Sequence, residues 1–183
     1  MRKVIAAINM TLDGYCDHTA VDPDDEIHQH FADLLDNADV VLYGKITYQL
    51  MQFWQKLAEK PSGEKSMDDF AIVMDKIPKI VFSHKLKDTG WESAKLADQP
   101  IEEMVKELKQ KSGRDILVGS RSLIIQLMKL HLIDELQLCV HPVLVGGGLP
   151  LFENIKDRNM LKLTNTKTFK SGAVNLYYKP TNE

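Results

Sequence analysis

Apolar positions along this chain fall into two patterns, short unbroken runs and longer stretches carrying a single apolar stripe. The runs are "DVVLYG" (Asp39–Gly44), "KIVFS" (Lys79–Ser83) and "DILVG" (Asp115–Gly119). Because they are continuous rather than alternating, they predict strands buried on both faces, as in the middle of a helix-covered parallel sheet. The stripes fall between the runs. "DDEIHQHFADLLDN" places Ile27, Phe31, Leu34 and Leu35 at i, i+4, i+7 and i+8, one face of a helix. "KITYQLMQFWQKL" sets Tyr48, Met51 and Trp54 or Gln55 on neighbouring turns. "QPIEEMVKELKQKSG" has Pro100 in its first turn, a basic tail and Gly113 as a stop, and "SRSLIIQLMKLHLI" is a further helix.

Strand–helix alternation of this kind predicts an α/β fold with a largely parallel sheet. "MRKVIAAINM" reads as the first strand, since its apolar run gives way at once to "TLDGYCD". Toward the end the pattern changes. "ELQLCVHPVLV" reads as one long strand, and "LKLTNTKTFKSGAVNLYYKP" as two strands joined at "KSG", an antiparallel hairpin at one edge. "AEKPSGEKS" (Ala58–Ser66) reads as a mobile loop. Trp54, Tyr177 and Tyr178 are read as core or interface residues. Residues 1–183 are expected to form one domain.

Composition narrows the function more than the fold. A net charge of −3 argues against a nucleic-acid partner bound through phosphate neutralisation. No apolar run approaches the ~20 residues of a membrane span. The two cysteines, Cys16 and Cys139, form no C-x-x-C, which suggests a reducing, cytoplasmic setting. No metal site is expected. His28 and His30 are two apart and point away from each other on a helix, so they cannot share an ion.

Ligands of open α/β sheets bind beyond the carboxyl ends of the strands, where helix N-termini point. Three junctions qualify: "VVLYG" into "KITYQ", "KIVFS" into "HKL", and "DILVG" into "SRSL". Gly44 and Gly119 permit close backbone approach, and helices starting near Lys45 and Ser120 present free N–H groups. Ser83, His84 and Lys85 add donors and charge for another phosphate. By contrast, "VLVGGGLPLF" lacks the third glycine and the helix start of a dinucleotide fingerprint, so it reads as a tight turn at a pocket rim.

In order, these segments resemble the dihydrofolate reductases and the reductase half of RibD-type riboflavin-biosynthesis enzymes. "LYGKITYQLM" resembles their "GR-x-T-[YW]" segment, and "KIVFSHKL" the next cofactor strand. "DILVGSRSLIIQLMKLHLIDELQL" is similar to their "GG" strand–helix–strand unit, and "INMTLDGYCD" to the first strand and turn. "PVLVGGGLPLF" resembles the tail motif of the RibD branch. The likeness spans Val4 to Tyr178. It implies a three-layer dihydrofolate reductase-like fold and NADPH as hydride donor. By match, Gly44, Lys45 and Thr47 would meet the pyrophosphate, with Tyr48 behind the turn. Ser83, His84 and Lys85 would meet the 2′-phosphate, and Gly119, Ser120 and Arg121 the pyrophosphate and nicotinamide. Asp13, Leu138 and Gly147 would border the substrate or its lid, and a homodimer is expected. Two departures stand out: Ser120 replaces the second glycine of the pair, and Lys45 replaces an arginine. The residues leave open whether the Gly119–Ser120 peptide is cis.

The proton donor is harder to place. Dihydrofolate reductases use one carboxylate on the first helix, and here "DPDDEIHQH" offers Asp24, with His28 one turn on. The competing reading is that Asp24, Asp25 and Glu26 stabilise the helix N-terminus. The zinc signature of the RibD deaminase half, H-x-E with P-C-x-x-C, does not occur. The resemblance therefore implies an NADPH-dependent reductase of a small heterocycle of the riboflavin-precursor or folate class. The alternatives are a dihydrofolate reductase proper, or a non-catalytic nucleotide- or metabolite-binding protein on the same fold. A phosphorylated substrate would need an anchor, and Arg121 is the one arginine placed to serve.

Overall fold

A computed structural model describes residues 1–155 and 158–181. In chain order the elements are β1 (Val4–Thr11), α1 (Asp25–Asp36), β2 (Ala38–Gly44), α2 (Lys45–Glu59), α3 (Lys65–Lys76), β3 (Lys79–Phe82) and β4 (Ala94–Leu96). Then come α4 (Ile101–Gln110), β5 (Asp115–Val118), α5 (Arg121–Lys129), β6 (Glu135–His141), β7 (Leu161–Thr168) and β8 (Val174–Pro180). One continuous sheet carries these strands in the order β4-β3-β2-β5-β1-β6-β8-β7. It is parallel from β4 to β6 and antiparallel through β8 and β7.

Three layers follow from strand alternation. Val4 and Ala6 of β1, with Val40 and Leu42 of β2, pack beneath α4 and α5 through Met104, Val105, Ile124 and Leu127. Their neighbours Ile5, Val41 and Tyr43 turn the other way, under Ala32 and Leu35 of α1, Tyr48 of α2 and Phe70 and Met74 of α3. Fully burying a side chain such as Leu42 contributes about 1.5–3 kcal/mol, so the central strands anchor both layers. The hairpin turns where the sequence placed it. Phe169 and Ala173 close it, and Gly172 adopts φ +86°.

Several expectations need correction. The long strand stops at His141, because Pro142 has no N–H to continue a ladder, and the chain instead hands the Val143 carbonyl to the Leu12 amide. The supposed mobile loop at 58–66 is shorter than expected and well tied. Helix α2 runs to Glu59, α3 starts at Lys65, and the Asp68 carboxylate accepts from the amides of Ser62 and Gly63. Pro100 stands at the cap position, one residue before α4 rather than inside its first turn. No described peptide bond is cis, so the Gly119–Ser120 link is trans. Below α3, buried Lys79 donates to the Ile77 carbonyl and the Ser93 hydroxyl, both at 2.8 Å, and lies over the Trp91 ring. It joins the end of that helix to edge strand β4.

Candidate functional site

Strand order sets the carboxyl edge of the sheet. Reading across β3, β2, β5, β1 and β6, the chain leaves the sheet at Ser83, Gly44, Gly119, Leu12 and Pro142. Gly44 is in register with Phe82, and Leu42 with Val118, so the first three exits are adjacent. Two helices open there, α2 after Gly44 and α5 after Ser120, and neither has a side-chain cap. Their first-turn amides are the unsatisfied donors that favour an anion. Lys45 and Arg121 stand at the first positions of the two helices.

Ser120 explains its own departure from glycine. Its buried hydroxyl accepts the Gly44 N–H at 2.8 Å and so fastens the end of β2 to the end of β5. Space is tightest at Gly119, against a ring that cannot yield, and less so at Gly44, against a hydroxyl that can rotate. A Cβ at Gly119 would sit 2.9 Å from the Tyr43 ring, and one at Gly44 would sit 3.0 Å from the Ser122 hydroxyl. At the third exit, the Ser83 hydroxyl accepts the Lys85 and Leu86 amides at 3.1 Å, forming a turn with His84 and Lys85 exposed at its crown.

The glycine-rich segment lies over the ends of β1 and β6, with three of its amides taken by carboxylates. Asp13 accepts the Val145 and Gly146 amides at 3.1 and 2.8 Å, and Asp17 accepts the Leu149 amide at 2.6 Å. Gly146 and Gly148 have φ of +69° and +127°, and a Cβ at Gly148 would collide with the Asp17 carboxylate. The Thr11 hydroxyl and the Gly146 amide hold the Asp13 carboxyl below its ordinary range. Arg121 secures the far end, donating to the Pro150 carbonyl at 2.6 Å and pairing with Glu153 at 2.6 Å. The segment is a clasp closed by internal anions at its Val145, Gly146 and Leu149 amides.

Beyond it, α1 begins over β1 and β6. Asp24 is the N-cap, accepting the Ile27 amide at 2.9 Å. Partial burial works to raise its pKa, but hydrogen bonds from Ile27, Ser171 and Glu26 outweigh this and hold the carboxyl below the ordinary range. Asp24 thus caps α1, the competing reading of this residue, with its carboxyl held toward the ionised form. His28, one turn on, meets Trp54 at 5.6 Å and Phe70 at 5.9 Å between ring centres. Burial lowers its pKa, with Asp25, Asp22 and Asp24 opposing that shift. His30 points elsewhere, toward Phe169 and Tyr177.

Other expected residues separate. Thr47 is half-buried in the first turn of α2, and Gly147 lies exposed in the clasp. Leu138 is misplaced as a substrate contact. Side chains alternate along β6, so it faces the α4–α5 core, on the opposite side of the sheet from His141. The pair that sequence reasoning missed is Asn9 with His141. They come from neighbouring strands, and His141 Nε2 lies 2.9 Å from Asn9 Oδ1. Thr11 is in register with His141 and Asn9 with Cys139, a pairing that only the β1–β6 alignment reveals.

Comparison with known proteins agrees with this architecture. The RibD C-terminal domain profile matches residues 2–176. The uncharacterized protein YyaP of Bacillus subtilis is 36% identical over 97% of this chain and 94% of its own length. The uncharacterized protein YwjB of the same organism is 27% identical over 97% of both chains. Among solved structures, a putative riboflavin biosynthesis protein from Shewanella sp. PV-4 superposes with a TM-score of 0.73 at 19% identity, covering 100% of both chains. A pyrimidine reductase-like protein from Corynebacterium diphtheriae gives 0.68 at 15% identity, over 100% of this chain and 93% of that one. Acinetobacter baumannii RibD also gives 0.68, at 14% identity, with this chain spanning 59% of that longer protein. From its strand-end exits to its glycine clasp, this chain belongs to the RibD C-terminal domain family.

Proposed function

We propose that this protein is an NADPH-dependent reductase of a small nitrogen heterocycle. The observation that carries the reading is the adjacency of three strand exits, each with its own anion-binding chemistry, along one edge of the sheet. The first-turn amides of α2 and α5, with Lys45, fit a pyrophosphate. The exposed His84–Lys85 crown, one strand further out, fits a 2′-phosphate. The RibD C-terminal family and its riboflavin-biosynthesis and pyrimidine-reductase-like neighbours support the same class of reaction.

NADPH, where bound, supplies a hydride. The chain's part is to hold the acceptor beside the β1–β6 end and to control the accompanying proton. Asp24, being ionised, contributes negative charge rather than a proton. His28 and His141 are both shifted below the ordinary imidazole range by burial, so each presents a neutral ring at pH 7. A neutral imidazole can pass a proton between water and substrate without bringing a charge into the cleft.

The test has two readouts. Melting temperature should rise with NADPH more than with NADH, and NADPH absorbance should fall in the presence of pterin or pyrimidine substrates. Ser83→Ala with Lys85→Ala should weaken NADPH more than NADH. Equal losses for both cofactors would displace the 2′-phosphate from this turn. NADPH binding with no oxidation by any substrate would leave a nucleotide-binding protein in place of a reductase.

A further inference from the structure

At the amino edge of the sheet, across from the strand exits, a hollow opens between the end of α4 and the starts of β2, β3 and β4. Its volume is about 320 Å³, at the small end of the range for ligand pockets. Much of the lining is apolar: Val40, Ile80 and Leu108 belong to the core under α4 and α5, and Pro78 and Ala94 add to them. The charged lining is unequal. Arg2, Lys79 and Lys95 stand against Asp39 and Glu92, three cations to two carboxylates, a balance of one positive charge. Burial pulls Lys79 down only to about 8, so it counts as charged at pH 7.

Arg2 is the informative residue. It stands two positions before inward-facing Val4, reaches under the end of α4 and is 8% exposed. Its Nε donates to the Arg114 carbonyl at 2.5 Å, and Nη1 meets the Leu108 carbonyl at 3.5 Å. Nη2 is buried 3.5 Å from Asp39 Oδ2 and makes no hydrogen bond among the described residues. Arg114 holds that carboxylate instead, its amide donating to Oδ2 at 2.6 Å and its Nε to Oδ1 at 2.9 Å. A charged donor out of water and unpaired is costly, which favours an anion arriving beside it. Two further donors share the lining. The Ser93 hydroxyl accepts from Lys79 Nζ at 2.8 Å, so its own hydrogen is left to donate, with no acceptor among the described residues. Exposed Lys95, in register with Ile80, has no ion-pair or hydrogen-bond partner among the described residues.

We propose that this hollow binds a small organic monocarboxylate with an apolar body. The carboxylate meets Ser93 and Lys95, with Arg2 Nη2 as the innermost donor, and the body rests on Ile80 and Leu108. Charge-assisted bonds to a carboxylate are the strong ones, and Asp39 and Glu92 on the same lining weigh against a dianion such as phosphate. The site lies one strand length, roughly 13 Å along β3, from the Ser83 turn, and it depends on neither NADPH nor reduction.

An amide-shift titration of the full chain with benzoate tests this. Saturable movement is expected at Ile80, Ser93–Lys95 and Leu108. Benzamide keeps the shape without the charge, and acetate keeps the charge without the ring; each should bind at least about tenfold more weakly. Lys95→Glu, an exposed substitution, should weaken benzoate by about threefold or more. Arg2→Gln should abolish saturation, and Lys95→Glu carries the test if that buried change prevents folding. Four results would each overturn the proposal: no saturable shifts, shifts centred on residues 44–47 and 83–85 instead, inorganic phosphate or benzamide binding as tightly as benzoate, or benzoate affinity unchanged in Lys95→Glu.

Discussion

Replacing Ser120 by alanine removes one oxygen and isolates one buried donor. In the parent the Gly44 amide donates to the Ser120 hydroxyl at 2.8 Å, and Ser120 is 1% exposed. Alanine keeps the backbone and the Cβ, so the loss is confined to that hydrogen bond. Leaving a buried amide unpaired costs about 1–3 kcal/mol, more than the net value of a hydrogen bond exchanged with water. At about 2–4 °C per kcal/mol for a chain of this size, the melting temperature should fall by roughly 2–12 °C. Because the bond joins β2 to β5, the Gly44 amide should also exchange with solvent faster than its neighbours in β2. NADPH affinity should fall with it, since the two helix N-termini would no longer be held at a fixed spacing. A melting temperature within about 1 °C of the parent, with Gly44 exchange unchanged, would refute the claim that Ser120 fastens the two strand ends.

Two further substitutions separate the clasp from the core. Asp13→Asn weakens the acceptor of the Val145 and Gly146 amides, so hydrogen exchange at both should accelerate while the sheet amides stay protected. Unchanged exchange there would show that Asp13 does not close the clasp. The Asp13 pKa is lowered in the fold, chiefly by the Thr11 hydroxyl and then by the Gly146 amide. Its contribution is therefore complete above pH 3.8 and is lost only as pH falls through the lower folded value. Parent exchange at Gly146 should accordingly stay slow down to that region, and acceleration already at pH 5 would contradict the assignment. Burial pulls His30 down to about 4 from 6.5, and its Nε2 is unpaired, so charging it should cost stability as pH falls across that window. His30→Leu should remove that acid slope and raise stability at neutral pH by about 1 kcal/mol. A variant with the parental slope in chemical denaturation would rule out His30 as its source.

The three central strands were legible because burial on both faces leaves unbroken apolar runs, and the hairpin because "KSG" marks its turn. Helix α3 was less so. Phe70, Ala71 and Met74 carry its buried face, but "PSG" and the polar residues just before them read as loop, and the bonds from the Ser62 and Gly63 amides to Asp68 are visible only in three dimensions. Strand β4 is three residues long, too short for any period to register. At the site, glycines at strand ends mark close approach in one dimension. Their adjacency depends on strand order, which the family resemblance supplied and spacing did not. The Asn9–His141 pair joins residues 132 positions apart, and no local pattern links them. Arg121 shows the reverse case. It stands in the right place by sequence, but Glu153 and the Pro150 carbonyl engage it from a segment that reads as a bare turn.

The central claim concerns where a phosphorylated dinucleotide settles, and amide chemical shifts recorded during an NADPH titration report on it directly. Movement concentrated at Gly44–Thr47, Ser83–Lys85 and Gly119–Ser122, with the Ser83–Lys85 shifts absent when NADH is added instead, is the result expected. Shifts gathered at the amino edge around Arg2, Asp39 and Lys79, or on only one of the three exits, would contradict a shared cofactor site.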